Sequence, residues 1–113
     1  MMMRKFWPLL MAGSVGAMSV QAAPVDTFEL LVGSYTAGTS EGIYRLQFDS
    51  RTGQFSGQPV LAAKAANPSW LTLSKDQKHL FVVNENGPGQ KDPVGRVSSY
   101  SIDPKNHQLT LIN

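Results

Sequence analysis

The stretch NPSWLTLSKDQKHLFVVNE, residues 67–85, decides the fold. Its segments 70–73 and 80–84 are rich in apolar and β-branched residues, and the polar segment 74–79 between them consists of turn formers. This pattern predicts two antiparallel strands joined by a turn.

The predicted hairpin brings four polar residues to one edge of the sheet. The chain enters the first strand and leaves the second at the same end of an antiparallel hairpin. Asn67 and Ser69 are therefore expected to share an edge with Asn84 and Glu85. This candidate functional rim contains two amides, a hydroxyl and a carboxylate.

An internal repeat extends the pattern towards both ends of the chain. Three pairs of segments align, the first at an offset of 50 residues and the others at 54: LLVGSY (30–35) with LFVVNE (80–85), LQFD (46–49) with YSID (100–103), and QF (54–55) with QL (108–109). The change in offset falls in the loop 86–95, where insertions are tolerated. Tyr35 occupies the repeat position of Glu85.

The repeat unit predicts an all-β fold. The predicted strands are 28–33, 42–48, 55–63, 70–73, 80–84, 97–102 and 109–112. A period of about 50 residues with four strands per unit is typical of a β-propeller blade, and chance similarity between two β-meanders is the alternative. We expect blade 1 at about 28–66 and blade 2 at about 67–113. Because propellers close with about four to eight blades, we expect an N-terminal fragment of a longer protein.

The first 22 residues have the pattern of a secretory signal peptide. Arg4 and Lys5 precede an apolar run at 6–20, and small residues end at Ala22, after which cleavage is expected. The alternative, a membrane anchor, needs about 20 apolar residues, more than this run contains. The sequence therefore predicts a periplasmic or secreted protein that has no membrane attachment after cleavage.

Charge and composition exclude several functional classes. The chain has 10 Lys+Arg and 8 Asp+Glu, and removal of Arg4 and Lys5 makes the two equal, so a nucleic-acid partner is not expected. No cysteine is present for a disulfide framework. His79 and His107 have no ligands at metal-binding spacing, so no metal site is predicted.

The quoted segments, with VGSYTAGTSEGIYRLQFDSRTGQF (32–55) and GRVSSYSIDPKNHQL (95–109), closely resemble the start of the lactonase family of seven-bladed propellers. The resemblance implies a ring of seven blades that hydrolyses a sugar lactone without a metal or organic cofactor, as 6-phosphogluconolactonase of the propeller type does. The His and Arg suspected in that family lie on later blades. Glu85 belongs to an early copy of the Val-Asn-Glu motif, so the role of the later Glu does not transfer to it automatically.

The predicted site follows from what lactone hydrolysis requires. It needs a base for water, donors for the oxyanion, and groups that hold sugar hydroxyls. Glu85, the carboxylate on the rim, is the candidate base or hydroxyl-binding group, and backbone capping is its alternative. Candidate substrate-binding residues are Tyr35, Asn67, Asn84 and Arg96; their alternatives are core packing for Tyr35, a turn role for Asn67, and simple solvation for Arg96.

Two functional classes remain open on the sequence. The first is an exported hydrolase of a sugar lactone, monomeric when full length. Whether its substrate is phosphorylated stays open on the sequence, and export favours an unphosphorylated lactone because 6-phosphogluconolactone is cytosolic. The alternative is a non-catalytic exported propeller that binds a protein or carbohydrate partner. In either case we expect residues 23–113 alone to be inactive.

Overall fold

The computed structural model describes residues 26–87 and 94–113, and these residues form seven β-strands. In chain order the strands are β1 (Thr27–Gly33), β2 (Gly42–Asp49), β3 (Gln54–Lys64), β4 (Pro68–Leu73), β5 (His79–Asn84), β6 (Arg96–Ile102) and β7 (Leu109–Leu111). The all-β prediction is confirmed, and the seven predicted strands are present with boundaries within two residues of those expected. The predicted signal peptide lies outside the described residues.

The strands form two antiparallel meanders. β1, β2 and β3 make a three-stranded sheet, and β4 to β7 make a four-stranded sheet, each in sequence order. Short turns join β2 to β3, β4 to β5 and β6 to β7. β1 lies against β4 where the sheets meet. The part of the chain that the structure describes contains no helix long and apolar enough to cross a membrane.

The register of the sheets reproduces the internal repeat. Two cross-strand pairs of the first sheet have counterparts in the second at the predicted offsets: Leu30–Leu46 corresponds to Leu80–Tyr100, and Phe48–Phe55 corresponds to Ile102–Leu109. Equivalent residues therefore occupy equivalent places in the two sheets.

The Asp-containing turns are also equivalent. Asp49 and Asp103 each accept hydrogen bonds at Oδ1 from the backbone N–H groups two and three residues ahead, at 2.7–3.3 Å. Asp side chains favour turns because they bond nearby backbone in this way. Each turn closes with a backbone N–H, of Gly53 or His107, that donates to the Asp carbonyl at 2.8 Å. Both closing residues are left-handed, with φ of 69° and 58°.

The hydrophobic core lies between the two sheets. Its buried members are Ile43, Leu80, Val82, Tyr100 and Leu109. Burial of one such aliphatic side chain stabilises the fold by about 1.5–3 kcal/mol. Because strand side chains alternate between faces, the other face of the four-stranded sheet presents Trp70 and Val97, which are 69% and 66% exposed. Trp70 is thus uncovered among the described residues.

Gly33 lies at a close approach of the two sheets. A Cβ at this position would overlap the carbonyl oxygen of Pro68 and lie 2.8 Å from Leu71 Cδ1. Only a glycine lets the end of β1 pass this close to the start of β4 without a backbone shift. The crossing fixes where the chain leaves β1, and hence where Tyr35 lies.

Candidate functional site

Tyr35 and Glu85 meet at the rim. Tyr35 follows β1 and Glu85 follows β5, so each leaves its sheet at the same position of the repeat. The Tyr35 phenol donates a hydrogen bond to Glu85 Oε2 at 2.5 Å. Both residues are exposed, Tyr35 at 52%, so a ligand has access to the pair. Tyr35 of the first sheet therefore contacts the predicted rim, whose residues belong to the second sheet.

The hydrogen bond between Tyr35 and Glu85 favours the protonated phenol and the ionised carboxylate. The phenol of Tyr35 lowers the pKa of Glu85, with a smaller contribution in the same direction from Ser69. The same hydrogen bond raises the pKa of Tyr35, and partial desolvation and the negative charge of Glu85 act in the same direction. Hydrogen bonding that favours one protonation state shifts a pKa in this way. At neutral pH the site presents an ionised carboxylate beside a protonated phenol.

Asn67 lies beneath this pair, between the two sheets. Its side chain is buried, and its Oδ1 accepts hydrogen bonds from the Thr36 backbone N–H at 2.9 Å and the Thr36 hydroxyl at 3.1 Å. Its Nδ2 donates to the carbonyl oxygen of Glu85 at 3.3 Å. The predicted role of Asn67 in binding a substrate stays a prediction, and its burial favours a role in the scaffold.

The Asn84 side chain also forms hydrogen bonds within the protein. Its Nδ2 donates to the Ala66 carbonyl at 2.8 Å, and its Oδ1 accepts a hydrogen bond from the Ser98 hydroxyl at 2.7 Å. Arg96 lies opposite Asn84 on the next strand and is exposed. The structure thus places Asn84 and Arg96 at the same end of the sheet, on the neighbouring strands β5 and β6. Their substrate-binding roles stay predictions.

Ser69 is a polar group close to Glu85. Its hydroxyl contributes to the lowered pKa of Glu85. Its Oγ is nevertheless buried and forms no hydrogen bond of good geometry within the described residues. We therefore treat Ser69 as an electrostatic neighbour of Glu85 and not as a hydrogen-bonded partner.

Sequence reasoning missed Thr36 and Ser98, which hold the two asparagines. Both are short hydroxyl residues without a motif of their own, and their partners lie 31 and 14 residues away in the chain. A signal for Thr36 exists in its place directly after Tyr35, in the loop where the two sheets meet.

An open depression of about 410 Å³ lies beside Thr36, the residue after Tyr35. It is lined by Thr36, Glu41, Lys64, Ala65 and Ala66. Lys64 Nζ forms an ion pair with Glu41 at 2.6 Å. Residues 26–87 and 94–113 contain no group of three His, Cys, Asp or Glu side chains that would hold a metal ion.

The two antiparallel meanders have the strand arrangement of β-propeller blades. Residues 29–113 match the family described as "Lactonase, 7-bladed beta-propeller". The chain belongs to this lactonase family. It is 39% identical over 82 residues to the 6-phosphogluconolactonase of Bacillus subtilis strain 168, an alignment that covers 73% of this chain and 22% of that protein.

Solved structures agree with this assignment. A periplasmic gluconolactonase from Pseudomonas aeruginosa is 49% identical, with a TM-score of 0.66, over 76% of this chain and 24% of that one. A putative 6-phosphogluconolactonase from Bacteroides fragilis is 39% identical, with a TM-score of 0.64, over 78% and 23%. The chain thus spans about a quarter of the length of these relatives.

Proposed function

We propose that the native protein containing this chain is an exported lactone hydrolase that opens an unphosphorylated sugar lactone to its acid. The observation that carries this proposal is the Tyr35–Glu85 pair on the exposed rim of a lactonase-family chain. Relatives named gluconolactonase and 6-phosphogluconolactonase support the reaction. Export is supported by the basic and apolar start of the sequence and by the periplasmic relative.

In the reaction, water adds to the lactone carbonyl carbon, the ring C–O bond breaks, and the former ring oxygen takes up a proton. The ionised Glu85 accepts a hydrogen bond from water or from a sugar hydroxyl. Its lowered pKa keeps it ionised but weakens it as a proton acceptor. The electrostatics of the site therefore favour hydroxyl binding by Glu85 over the predicted base role, and the Tyr35 phenol holds the carboxylate in place.

The negative charge of Glu85 favours a neutral substrate. Phosphate groups are usually bound by Arg or Lys. The ionised Glu85 repels a phosphate, and the exposed Arg96, opposite Asn84, is a cation that would have to offset this repulsion. A neutral sugar lactone needs no such cation and donates hydroxyl hydrogen bonds to the carboxylate.

The test is lactone hydrolysis by the native protein and its Glu85→Gln variant. Proton release is followed with glucono-δ-lactone and with 6-phosphogluconolactone, and spontaneous hydrolysis is subtracted. We expect faster turnover of the neutral lactone. Loss of a hydrogen bond to a charged group costs about 1.5–3 kcal/mol, so kcat/KM should fall about 10- to 100-fold in the variant.

The kinetic constants distinguish the two roles of Glu85. A raised KM marks hydroxyl binding, whereas a fall in kcat of about 10²–10⁴-fold marks a general base. Asp76→Asn, the same change of carboxylate to amide in the turn at the far end of the β4–β5 hairpin, is the matched control and should keep wild-type kinetics. Absence of turnover above the background, or wild-type kinetics in Glu85→Gln, would refute the proposal.

A further inference from the structure

Asn67 forms a buried bridge between the two sheets, directly below the exposed Tyr35–Glu85 pair. It is 0% exposed, whereas Tyr35 is 52% exposed. The residue next to Tyr35 in the chain is Thr36. Four hydrogen bonds join Asn67 to the backbone and side chain of Thr36 and to the backbone of Glu85. These bonds are Thr36 N to Asn67 Oδ1, Thr36 Oγ1 to Asn67 Oδ1, Asn67 N to Thr36 Oγ1, and Asn67 Nδ2 to the Glu85 carbonyl oxygen, at 2.9–3.3 Å.

The backbone of Asn67 forms a fifth hydrogen bond and has a strained conformation. Its carbonyl oxygen accepts a hydrogen bond from the Glu85 N–H at 3.0 Å. Its φ is 39°, in the left-handed region, which asparagine tolerates better than most residues. Strained backbone that is held by many bonds is a feature of functional sites.

We infer that Asn67 is a positioning residue of the proposed lactonase site: with Thr36, it fixes the loop of the first sheet against that of the second so that Tyr35 contacts Glu85. The two paired side chains arise from different sheets, so their contact depends on the relative placement of the two loops. The inference rests on the proposed function for its catalytic consequence. Its structural part stands on the hydrogen bonds alone.

Gly87 lies close to both Asn67 and Tyr35. A Cβ at Gly87 would lie 3.3 Å from Asn67 Nδ2 and 3.7 Å from Tyr35 Cε1. The chain after Glu85 therefore passes close to both side chains. This packing restricts movement of the Tyr35 ring as well as of the carboxamide.

Two variants of the native protein test the inference. Asn67→Gly removes the carboxamide, and glycine adopts the positive φ without strain. Thr36→Val replaces the hydroxyl with a methyl group of similar size and leaves the Thr36 N–H bond to Asn67, so this variant is the milder one. Thr36→Ser, which keeps a hydroxyl, should restore the wild-type behaviour.

The primary measurement is the pKa of Tyr35, from the ring-carbon NMR signal of labelled tyrosine, assigned by its loss in Tyr35→Phe. When the contact with Glu85 loosens, the pKa of Tyr35 should fall towards about 10, the ordinary value. We also expect a roughly 10- to 100-fold loss of kcat/KM, the size that misplacement of reacting groups produces. Leu80→Val, a core change at the far end of β5, lowers stability without touching the rim and should leave the pKa of Tyr35 unchanged.

The titration requires no turnover, so the two hypotheses fail separately. A wild-type pKa of Tyr35 in both folded variants overturns the positioning role, whatever the activity. If the variants lower the pKa of Tyr35 but the native protein hydrolyses no lactone, the positioning role is supported and the proposed function is overturned.

Discussion

Tyr35 and Glu85 stabilise each other over a defined range of pH. The pKa of Glu85 is lowered in the folded protein, so its contribution to stability is present above its unfolded value near 4.5 and is lost as the pH falls through the folded value. The pKa of Tyr35 is raised, so its contribution is present below its unfolded value near 10.0 and is lost as the pH rises through the folded value. The pair is therefore complete throughout the neutral range.

Tyr35→Phe should raise the pKa of Glu85 towards its ordinary value, because the variant removes the largest cause of the lowering. A substrate site that needs the ionised carboxylate then loses activity at a higher pH than wild type. The measurement is kcat/KM of the native protein against pH, whose acid limb should move to higher pH in the variant. Tyr44→Phe, a change on β2 away from the pair, is the control and should keep the wild-type profile. An acid limb that Tyr35→Phe leaves in place would show that the phenol does not control the ionisation of Glu85.

The residues of the rim could be predicted only in part. The repeat placed Tyr35 and Glu85 at equivalent positions, and the hairpin placed Asn67 and Asn84 at one edge. Their contacts could not be read from the sequence. The sequence does not distinguish a buried, hydrogen-bonded asparagine from a solvated one. Whether Asn67 is buried depends on how closely the two sheets approach each other.

At the scale of secondary structure, the sequence was informative because strands carry a local signal. Alternating apolar residues and Asp-containing turns predicted the strands and, through the repeat, their register. The angle and distance between the sheets were not predicted. They depend on close contacts such as that of Gly33 with Pro68. A glycine makes this contact possible because it has no side chain, and so it adds nothing to the apolar pattern of the strand.

Gly33→Ala should destabilise the protein. The added methyl group would overlap a backbone carbonyl, which cannot rotate away as a side chain would. Overpacking of this kind typically costs about 1–3 kcal/mol. Denaturant unfolding of the native protein measures the change.

Gly38→Ala is the matched control for that experiment. A Cβ at Gly38 meets no atom within 4 Å, so this change should be close to neutral. Equal stability of the two variants would mean that the sheets separate at little cost and that Gly33 does not set their distance.

At the scale of the whole molecule, the two sheets are joined by polar contacts at both ends and by the core between them. The Asn67 bridge joins them at the rim. At the outer turn, His107 Nδ1 lies 3.0 Å from Glu29 Oε1, and Arg45 donates to the Asn106 carbonyl at 2.8 Å. The contact of His107 with Glu29 could not be predicted from the sequence, because the two residues are 78 positions apart in the chain.

His107 differs from its counterpart in the repeat in an informative way. The equivalent position of the first sheet is Gly53, and both residues have a positive φ. Glycine adopts this conformation freely, whereas a histidine does so at a cost. The imidazole and the Glu29 carboxylate are only 23% and 21% exposed, so their contact is partly shielded from water. We expect this contact between the sheets to offset the conformational cost.

A double-mutant cycle with Glu29→Gln and His107→Gly isolates that contact. His107→Gly alone mixes two opposing effects, since it relieves backbone strain and removes the bond to Glu29. The strain is relieved whether or not Glu29 is present, so it cancels in the cycle, and the remaining coupling reports the contact. Residues in contact typically couple by about 0.5–3 kcal/mol, and for this half-shielded pair we expect a value near the lower end, from denaturant unfolding of the native protein. Glu41 lies just before the first residue of β2, at the end of that strand away from the outer turn. Glu41→Gln should therefore show no coupling to His107→Gly. If the Glu29 cycle gave no coupling either, the sheets would be held at this turn by Arg45 and the core, and the strain at His107 would have no compensation in its contact with Glu29.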